Sequence, residues 1–280
     1  MNRPYIICHM LTTLDGKISG PALGSPEAAA LAGHCQKLHR LCRADATIYG
    51  KTTVEEVFTK GRRPELPSLP EEPLPREDHI ADPGAAQYLI AVDPEGELGW
   101  TGSVVQARGP GYDGAHIIEI LRTDVSDRYL AYLRRLGISY LFGGAAEIRF
   151  SEVCAKLQRY FGIEKLLLQG GGLLNGSFAA EDLIDELSLL IAPAADCGSG
   201  QPSLFEGMPG LSASPRRFVQ RDIQVLEHSG LALQYVRQIE EIRVWPDAPA
   251  PAGRAGPLHR ECGDGEGDGG PLPGAGLHLF

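Results

Sequence analysis

The sequence predicts an α/β fold: a mixed sheet, mostly parallel, with helices on both faces and an antiparallel hairpin at its C-terminal end. Three observations predict it. Short apolar runs alternate with amphipathic stretches from residue 5 to about residue 180, the pattern of parallel strands joined by crossover helices. Strand-like runs end on glycine and pass directly into helical patterns, as at Gly50 and at Gly170-Gly171-Gly172. Beyond residue 186 strand patterns follow one another without a helix between them.

Taken in order, Tyr5 to Met10 is a short apolar run that reads as a buried strand, broken by Thr12-Thr13-Leu14-Asp15-Gly16. Ser25-Pro26 is an N-cap with proline in the first turn and opens a helix to about Arg43. Ala46 to Tyr49 is a second strand ending at Gly50. Residues 59–86 carry six prolines among charges and no apolar period, so they form an irregular insertion: a lid, an interface arm or a mobile loop. Tyr88–Val92 and Ala115–Leu121 read as strands. Ser126 caps a helix that runs to Leu136 and stops at Gly137, before the strand Ile138–Phe142. A helix from Ser151 to Phe161, the strand Glu164–Gln169 and a short helix from Leu173 complete the alternation.

Leu187, Leu189 and Ile191 alternate with Glu186 and Ser188, a strand with two unlike faces. Arg217–Leu226 and Leu231–Gln238, joined by Glu227-His228-Ser229-Gly230, form an antiparallel hairpin. Residues 1–243 therefore read as one domain carrying the 59–86 insertion. Residues 244–280, rich in Gly, Pro and Ala, read as a disordered tail, because so little apolar surface cannot offset the entropy of ordering.

The chain has 280 residues with 43% hydrophobic content, enough for a sizeable core. A formal net charge of −10 argues against a nucleic-acid-binding surface and leaves room for a small phosphorylated ligand in a local positive pocket. No apolar run approaches the roughly 18 residues of a membrane span. The six cysteines show no CxxC spacing, and the chain opens without a signal-peptide pattern. A cytoplasmic protein with free thiols is expected. His34, Cys35, His39 and Cys42 crowd one helix, but both cysteines share the stripe of Leu31 and Leu38; buried thiols rather than a metal site are expected.

Chemistry concentrates at strand ends. In Leu166–Asn175 a buried strand runs into three glycines and a helix. Gly170, Gly171 and Gly172 let the backbone approach a ligand, and the helix start at Leu173 and Leu174 offers N–H groups to an anion such as a dinucleotide pyrophosphate. Gly50-Lys51-Thr52-Thr53 repeats the arrangement, with hydroxyls for phosphate and a lysine suited to an adenosine 2′-phosphate. A tight turn without a ligand is the alternative at each; their occurrence on one parallel sheet favours both as ligand sites, because such sheets collect ligands at the carboxyl ends of their strands. Arg122 closes another strand and is suited to an adenine or a phosphate, or is a surface arginine; Gly143-Gly144 is a weaker echo. His9 and Asp15 flank the first strand end, where they are candidates to orient an acceptor or relay a proton.

Thr13-Leu-Asp-Gly-Lys17, Arg43-Ala-Asp45, Tyr49-Gly-Lys-Thr-Thr53, Gln169-Gly-Gly-Gly-Leu-Leu-Asn-Gly-Ser177 and Leu183-Ile-Asp-Glu-Leu187, in this order, resemble the reductase domain of the bifunctional riboflavin-biosynthesis deaminase-reductase. The resemblance covers roughly Arg3 to Gln238 and places the chain in the dihydrofolate reductase-like superfamily. It implies NADPH as hydride donor, a homodimer, and reduction of the ribosyl side chain of 5-amino-6-(5-phosphoribosylamino)uracil to a ribityl chain. By position it implies that Gly50–Thr53, Arg122, Gly143 and Gly170–Leu174 hold the dinucleotide. His9 and Asp15 would then be the catalytic candidates and Thr12 and Thr13 the substrate contacts. Three positions depart from the family pattern: Glu55-Glu56-Val57-Phe58 stands where an Asp-Asp-Pro stretch is common, Gln169 where Glu is common, and His9 where some members carry Lys. Two other readings stay open: a paralogous NADPH-dependent reductase of another small molecule, and a catalytically silent nucleotide-binding module.

Overall fold

The computed structural model describes residues 2–66, 73–106, 112–207 and 215–238. The predicted tail (244–280), Cys262 and part of the proline-rich insertion lie outside the described residues. Nine strands form one sheet in the order β5-β4-β3-β2-β6-β1-β7-β9-β8. In sequence these are β1 Tyr5–Thr12, β2 Ala46–Gly50, β3 Tyr88–Val92, β4 His116–Arg122, β5 Ser139–Gly144, β6 Lys165–Leu168, β7 Glu186–Ile191, β8 Phe218–Val225 and β9 Leu231–Arg237. All pairings from β5 to β7 are parallel, and β7–β9 and β9–β8 are antiparallel. The predicted class is observed.

The helices form where their end signals stand. α1 (Pro26–Cys42) has Ser25 as N-cap, its hydroxyl accepting from Ala28 N–H, and proline in the first turn. α2 (Lys51–Val54) starts directly after β2 and continues as a π-helical turn, Glu55–Thr59. α3 (Asp127–Leu136) is capped by Ser126 and closed by left-handed Gly137. α4 (Phe150–Phe161) begins one residue before the predicted start, and α5 (Gly172–Ala180) follows β6.

Both faces of the sheet are buried. Ile6, Cys8, Ile48, Ile90 and Ile118 pack with Val153, Leu157 and Phe178 on one side, while Leu89, Ala91 and Ile117 pack with Tyr129, Leu130 and Leu133 on the other. The two-residue strand period assigns neighbours to opposite layers. β7 departs from its predicted polar face: Ser188 is buried, because β7 lies inside the sheet between β1 and β9. The end of the insertion covers the free edge of β5, where His79 and Tyr140 exchange backbone hydrogen bonds of 2.9 Å in both directions. Asp78 accepts from Phe142 N–H and pairs with Lys156, and Ser139 Oγ accepts from Ala81 N–H. An unpaired edge strand invites association with other chains, and this segment blunts it.

Two buried polar clusters hold the layers together. Arg3 makes a bidentate pair with Asp185 at 2.7 and 2.8 Å, and Asp185 also accepts from Ile6 N–H, tying the start of β1 to the start of β7. Under α3, Asp93 and Glu119 are both fully buried and share the Tyr129 hydroxyl, which reaches Glu119 at 2.9 Å and Asp93 at 3.3 Å. Trp100 donates to Glu119, and Glu97 and Leu98 N–H donate to Asp93. Burial, with the Asp93 charge second, pushes the Glu119 carboxyl well above the usual range; burial pushes Asp93 up too.

Removing the Asp185 carboxylate leaves the largely buried Arg3 guanidinium without its counter-charge, so Asp185→Ala should cost about 3 kcal/mol in urea unfolding; a loss below about 0.5 kcal/mol would show that the clamp contributes nothing. With its folded pKa raised by burial, Glu119 is expected to keep a proton in the folded state that the unfolded chain releases above about pH 4.3. Its contribution to stability therefore falls as pH rises from there toward its raised folded value. Glu119→Gln removes that titration. Urea titrations between about pH 5 and pH 8 should show the wild type losing stability relative to the variant as pH rises, whereas a constant difference would mean that Glu119 is ionised in the fold.

Candidate active site

The parallel strands all present their carboxyl ends on one edge of the sheet. β2 pairs with β6 there, so the two glycine turns predicted from sequence become neighbours. Gly50 N–H donates to the Gly170 carbonyl at 2.9 Å, and a β-carbon on Gly50 would lie 3.5 Å from that oxygen. Gly170 has φ +53°, and a β-carbon there would meet the Asn175 amide at 2.9 Å. Gly171 faces open space, with nothing within 4 Å of its missing β-carbon. Leu173 is exposed beside it on the first turn of α5, whereas Leu174 is buried and packs against Gly50. Lys51, Thr52 and Thr53 lie on the first turn of α2, all partly accessible or exposed. Gly50–Thr53 and Gly170–Leu174 thus lie side by side at one edge of the sheet, with open space at Gly171.

Gly172 has a different role from the predicted ligand approach. A β-carbon on Gly172 would sit 2.5 Å from the Ser203 carbonyl, and one on Gly176 would sit 1.9 Å from the Glu206 carbonyl. These two glycines, four apart on one face of α5, admit the strap 201–206. Glu206 N–H donates to the Gly172 carbonyl and Asn175 Nδ2 to the Leu204 carbonyl. The other end of the strap binds the β1 loop through Ile18 N–H to Pro202 and Leu204 N–H to Gly16. Sequence reasoning missed this strap; the Gly172–Gly176 spacing was the signal for it.

At the β1 end, Thr12 and Thr13 are buried and Asp15 is at the surface. Thr13 Oγ1 donates to Asp15 at 2.6 Å and accepts from Lys17 N–H, while Asp15 accepts from the backbone of Asp196 and Cys197. The Thr13 hydroxyl, more than any other group, holds the Asp15 carboxyl below the usual range. Asp15 is therefore ionised at neutral pH and accepts hydrogen bonds. His9 is not brought to this edge. It lies under α1, 1% exposed, with Nδ1 3.0 Å from Ser188 Oγ and Nε2 3.0 Å from the Cys35 carbonyl. Burial pushes its ring down toward the neutral form. His9 and Asp15, read from sequence as converging, have separate partners: Ser188 and the Cys35 carbonyl for His9, Thr13 and the 196–197 backbone for Asp15.

Further along the edge, Lys51 is paired with Glu97, from the turn after β3. Arg122 lies at the end of β4, two strands from β2, and is engaged by Asp124 at 3.0 Å and Glu95 at 3.2 Å. Gly143 at the end of β5 is explained by packing, since its β-carbon would lie 2.7 Å from Ile148. Behind the glycines, Tyr49 donates to Gln169, and its ring packs with Phe58 and Tyr112; His39 stacks edge-on to Tyr112 at 5.4 Å. Among the described residues no group of His, Cys, Asp and Glu could hold a metal ion, and no helix is long and apolar enough to cross a membrane.

Known proteins are similar to this chain in sequence and in fold. The sequence model of the RibD C-terminal domain matches residues 114–228. The 2,5-diamino-6-ribosylamino-4(3H)-pyrimidinone 5′-phosphate reductase of Methanothermobacter thermautotrophicus is 28% identical over 206 residues, 73% of this chain and 85% of that protein. A pyrimidine reductase-like protein of Corynebacterium diphtheriae superposes with a TM-score of 0.57 at 16% identity, covering 85% of this chain and 94% of that one. Acinetobacter baumannii RibD superposes with a TM-score of 0.55 at 18% identity; 85% of this chain is covered but only 59% of that one. Residues 114–228 are thus similar to the RibD C-terminal domain, and the chain shares its fold with the pyrimidine reductase-like protein and with RibD.

Proposed function

We propose that this protein is an NADPH-dependent reductase of a ribosylaminopyrimidine phosphate. The observation that carries the reading is the Gly50–Gly170 contact, which sets two glycine turns side by side next to the open space at Gly171, with Lys51 on the adjoining helix turn. The residues present fit a dinucleotide there: Gly171 leaves space for a close approach, and the start of α5 offers backbone N–H groups to phosphate. Gly50–Thr53, Gly170, Gly171 and Leu173 would hold the cofactor. Arg122 and Gly143 lie farther along the edge, at the ends of β4 and β5.

When bound, the dihydronicotinamide supplies a hydride, which would join C1′ of the open-chain imine form of the sugar as a proton completes the amine nitrogen. The chain's own part is positioning and exclusion of water. Thr12, Thr13 and Asp15 form the polar wall at the end of β1, with Asp15 as an acceptor for substrate hydroxyls. His9 acts as a prop that sets the spacing of β1, β7 and α1. The Methanothermobacter relative is named for a diaminopyrimidinone ribotide, and the sequence resemblance points to the aminouracil ribotide; both carry the same ribosylamino phosphate, and one reduction serves both.

A different acceptor is the second reading. It is favoured by Glu55-Glu56-Val57-Phe58, which stands where an Asp-Asp-Pro stretch is common and whose Phe58 packs with Tyr49 and Tyr112, and by the engagement of Gln169 with Tyr49. A homodimer also forms part of the proposal. The outer strand β8 exposes Val219, Ile223 and Val225, the last at 80%, and apolar side chains on an unpaired edge favour association with a second copy.

Purified protein with either ribotide and NADPH should lose the reduced-nicotinamide absorbance in step with ribityl product; turnover of neither ribotide would remove the pyrimidine assignment. Lys51→Glu should weaken NADPH by about tenfold more than NADH, since it sets a carboxylate beside the 2′-phosphate. Equal losses for the two nucleotides would show that Lys51 does not read that group.

A further inference from the structure

We infer that Glu97 sets the phosphate discrimination of the nucleotide site, by competing with an adenosine 2′-phosphate for Lys51. The inference rests on the nucleotide-binding reading above and concerns which nucleotide the site prefers.

The local charges carry it. The Lys51 ammonium, 27% exposed, is paired with the Glu97 carboxylate. Arg63 reaches Glu97 at 3.2 Å and Glu55 at 3.0 Å. Arg122 is engaged by Glu95 and Asp124, and the buried Asp93 lies directly beneath the turn that bears Glu97. Each of these three cations therefore already faces carboxylates. A phosphate dianion arriving at Lys51 must displace Glu97 and remain beside it.

Glu97 is held there by the fold. Asp93 accepts from Glu97 N–H at 2.6 Å and Leu98 N–H at 2.9 Å, and Gly96 N–H donates to the Asp93 carbonyl at 3.1 Å. Gly96 adopts φ +71°, and a β-carbon there would lie 2.4 Å from Val125 and 2.6 Å from Tyr129, so only glycine allows the turn to pack so closely on α3. The Asp93–Tyr129–Glu119 cluster then anchors the turn from below. A fixed carboxylate after a strand accepts a hydrogen bond from a ribose 2′-hydroxyl but repels a 2′-phosphate. Arg63 limits the repulsion, because it can retain Glu97 when Lys51 turns to the phosphate. The wild-type preference for NADPH over NADH is consequently smaller than Lys51 alone would confer.

The test is the pair of dissociation constants for NADPH and NADH, measured by calorimetry on the wild type, Glu97→Gln and Glu97→Ala. Glu97 is 46% exposed, so solvent screening keeps the effect modest. Both variants should bind NADPH about three- to tenfold more tightly and NADH within about twofold of the wild type, with the gain shrinking in added salt. An unchanged NADPH-to-NADH ratio, or equal tightening of both, would overturn the competition while leaving the nucleotide site standing. Failure of the wild type to bind either nucleotide would overturn both readings together.

Discussion

The parallel pairing of β2 with β6 is the constraint on which the rest of the site depends. It brings together two strands far apart in sequence, each ending in glycine with a helix starting at once. Gly50 and Gly170 then share a backbone hydrogen bond, and α2 and α5 start from the same level of the sheet. A β-carbon on Gly50 would make an ordinary 3.5 Å contact with the Gly170 carbonyl, whereas Gly170, at φ +53°, has no room for one beside the Asn175 amide. Next to them Gly171 faces open space at the sheet edge, and Lys51 lies on the first turn of α2.

Buried polar groups, rather than surface contacts, hold that opening in shape. The strap 201–206 joins the β1 loop to α5 through backbone hydrogen bonds that require Gly172 and Gly176. His9 spans Ser188 and the Cys35 carbonyl, and Asp93 caps the turn that delivers Glu97. Buried polar groups are costly unless paired, so each cluster also specifies one arrangement of its neighbours. Oδ1 of Asp93 and Oε2 of Glu119 have no hydrogen-bond partner. A proton retained on Glu119 spares the α3 layer two adjacent buried charges.

Electrostatics divides the edge of the sheet into two regions. Around Gly170–Leu173 the backbone supplies the polarity, and the side chains add little charge. From Lys51 to Arg122 cations and carboxylates are interleaved, and the net field felt by an anion depends on which pairs open. The affinity of the proposed site for a phosphorylated nucleotide would thereby be set by exchange among ion pairs.

Much of this was legible in the sequence. The helix ends were marked by Ser25-Pro26, Ser126 and Gly137, local signals whose physics involves only the nearest few residues. The strand ends at Gly50 and Gly170 were marked in the same way, and so was the change from parallel to antiparallel pairing after residue 186. His9 was misplaced because a sequence run reports that a residue lies at a strand end but not which face of the strand it occupies. Gly172 was assigned to a ligand because a glycine's close neighbour can be a cofactor or another part of the chain.

The sequence by itself determined the fold class, the alternation of elements and the glycine-ended strands, because hydrophobic period, caps and turn residues act over a few positions. Only the tertiary structure decided strand order, the neighbours of Lys51 and Arg122, the edge-covering role of the insertion and the face of β1 that carries His9. Those depend on contacts between residues distant in sequence, where charge pairing and close packing are settled by the assembled sheet.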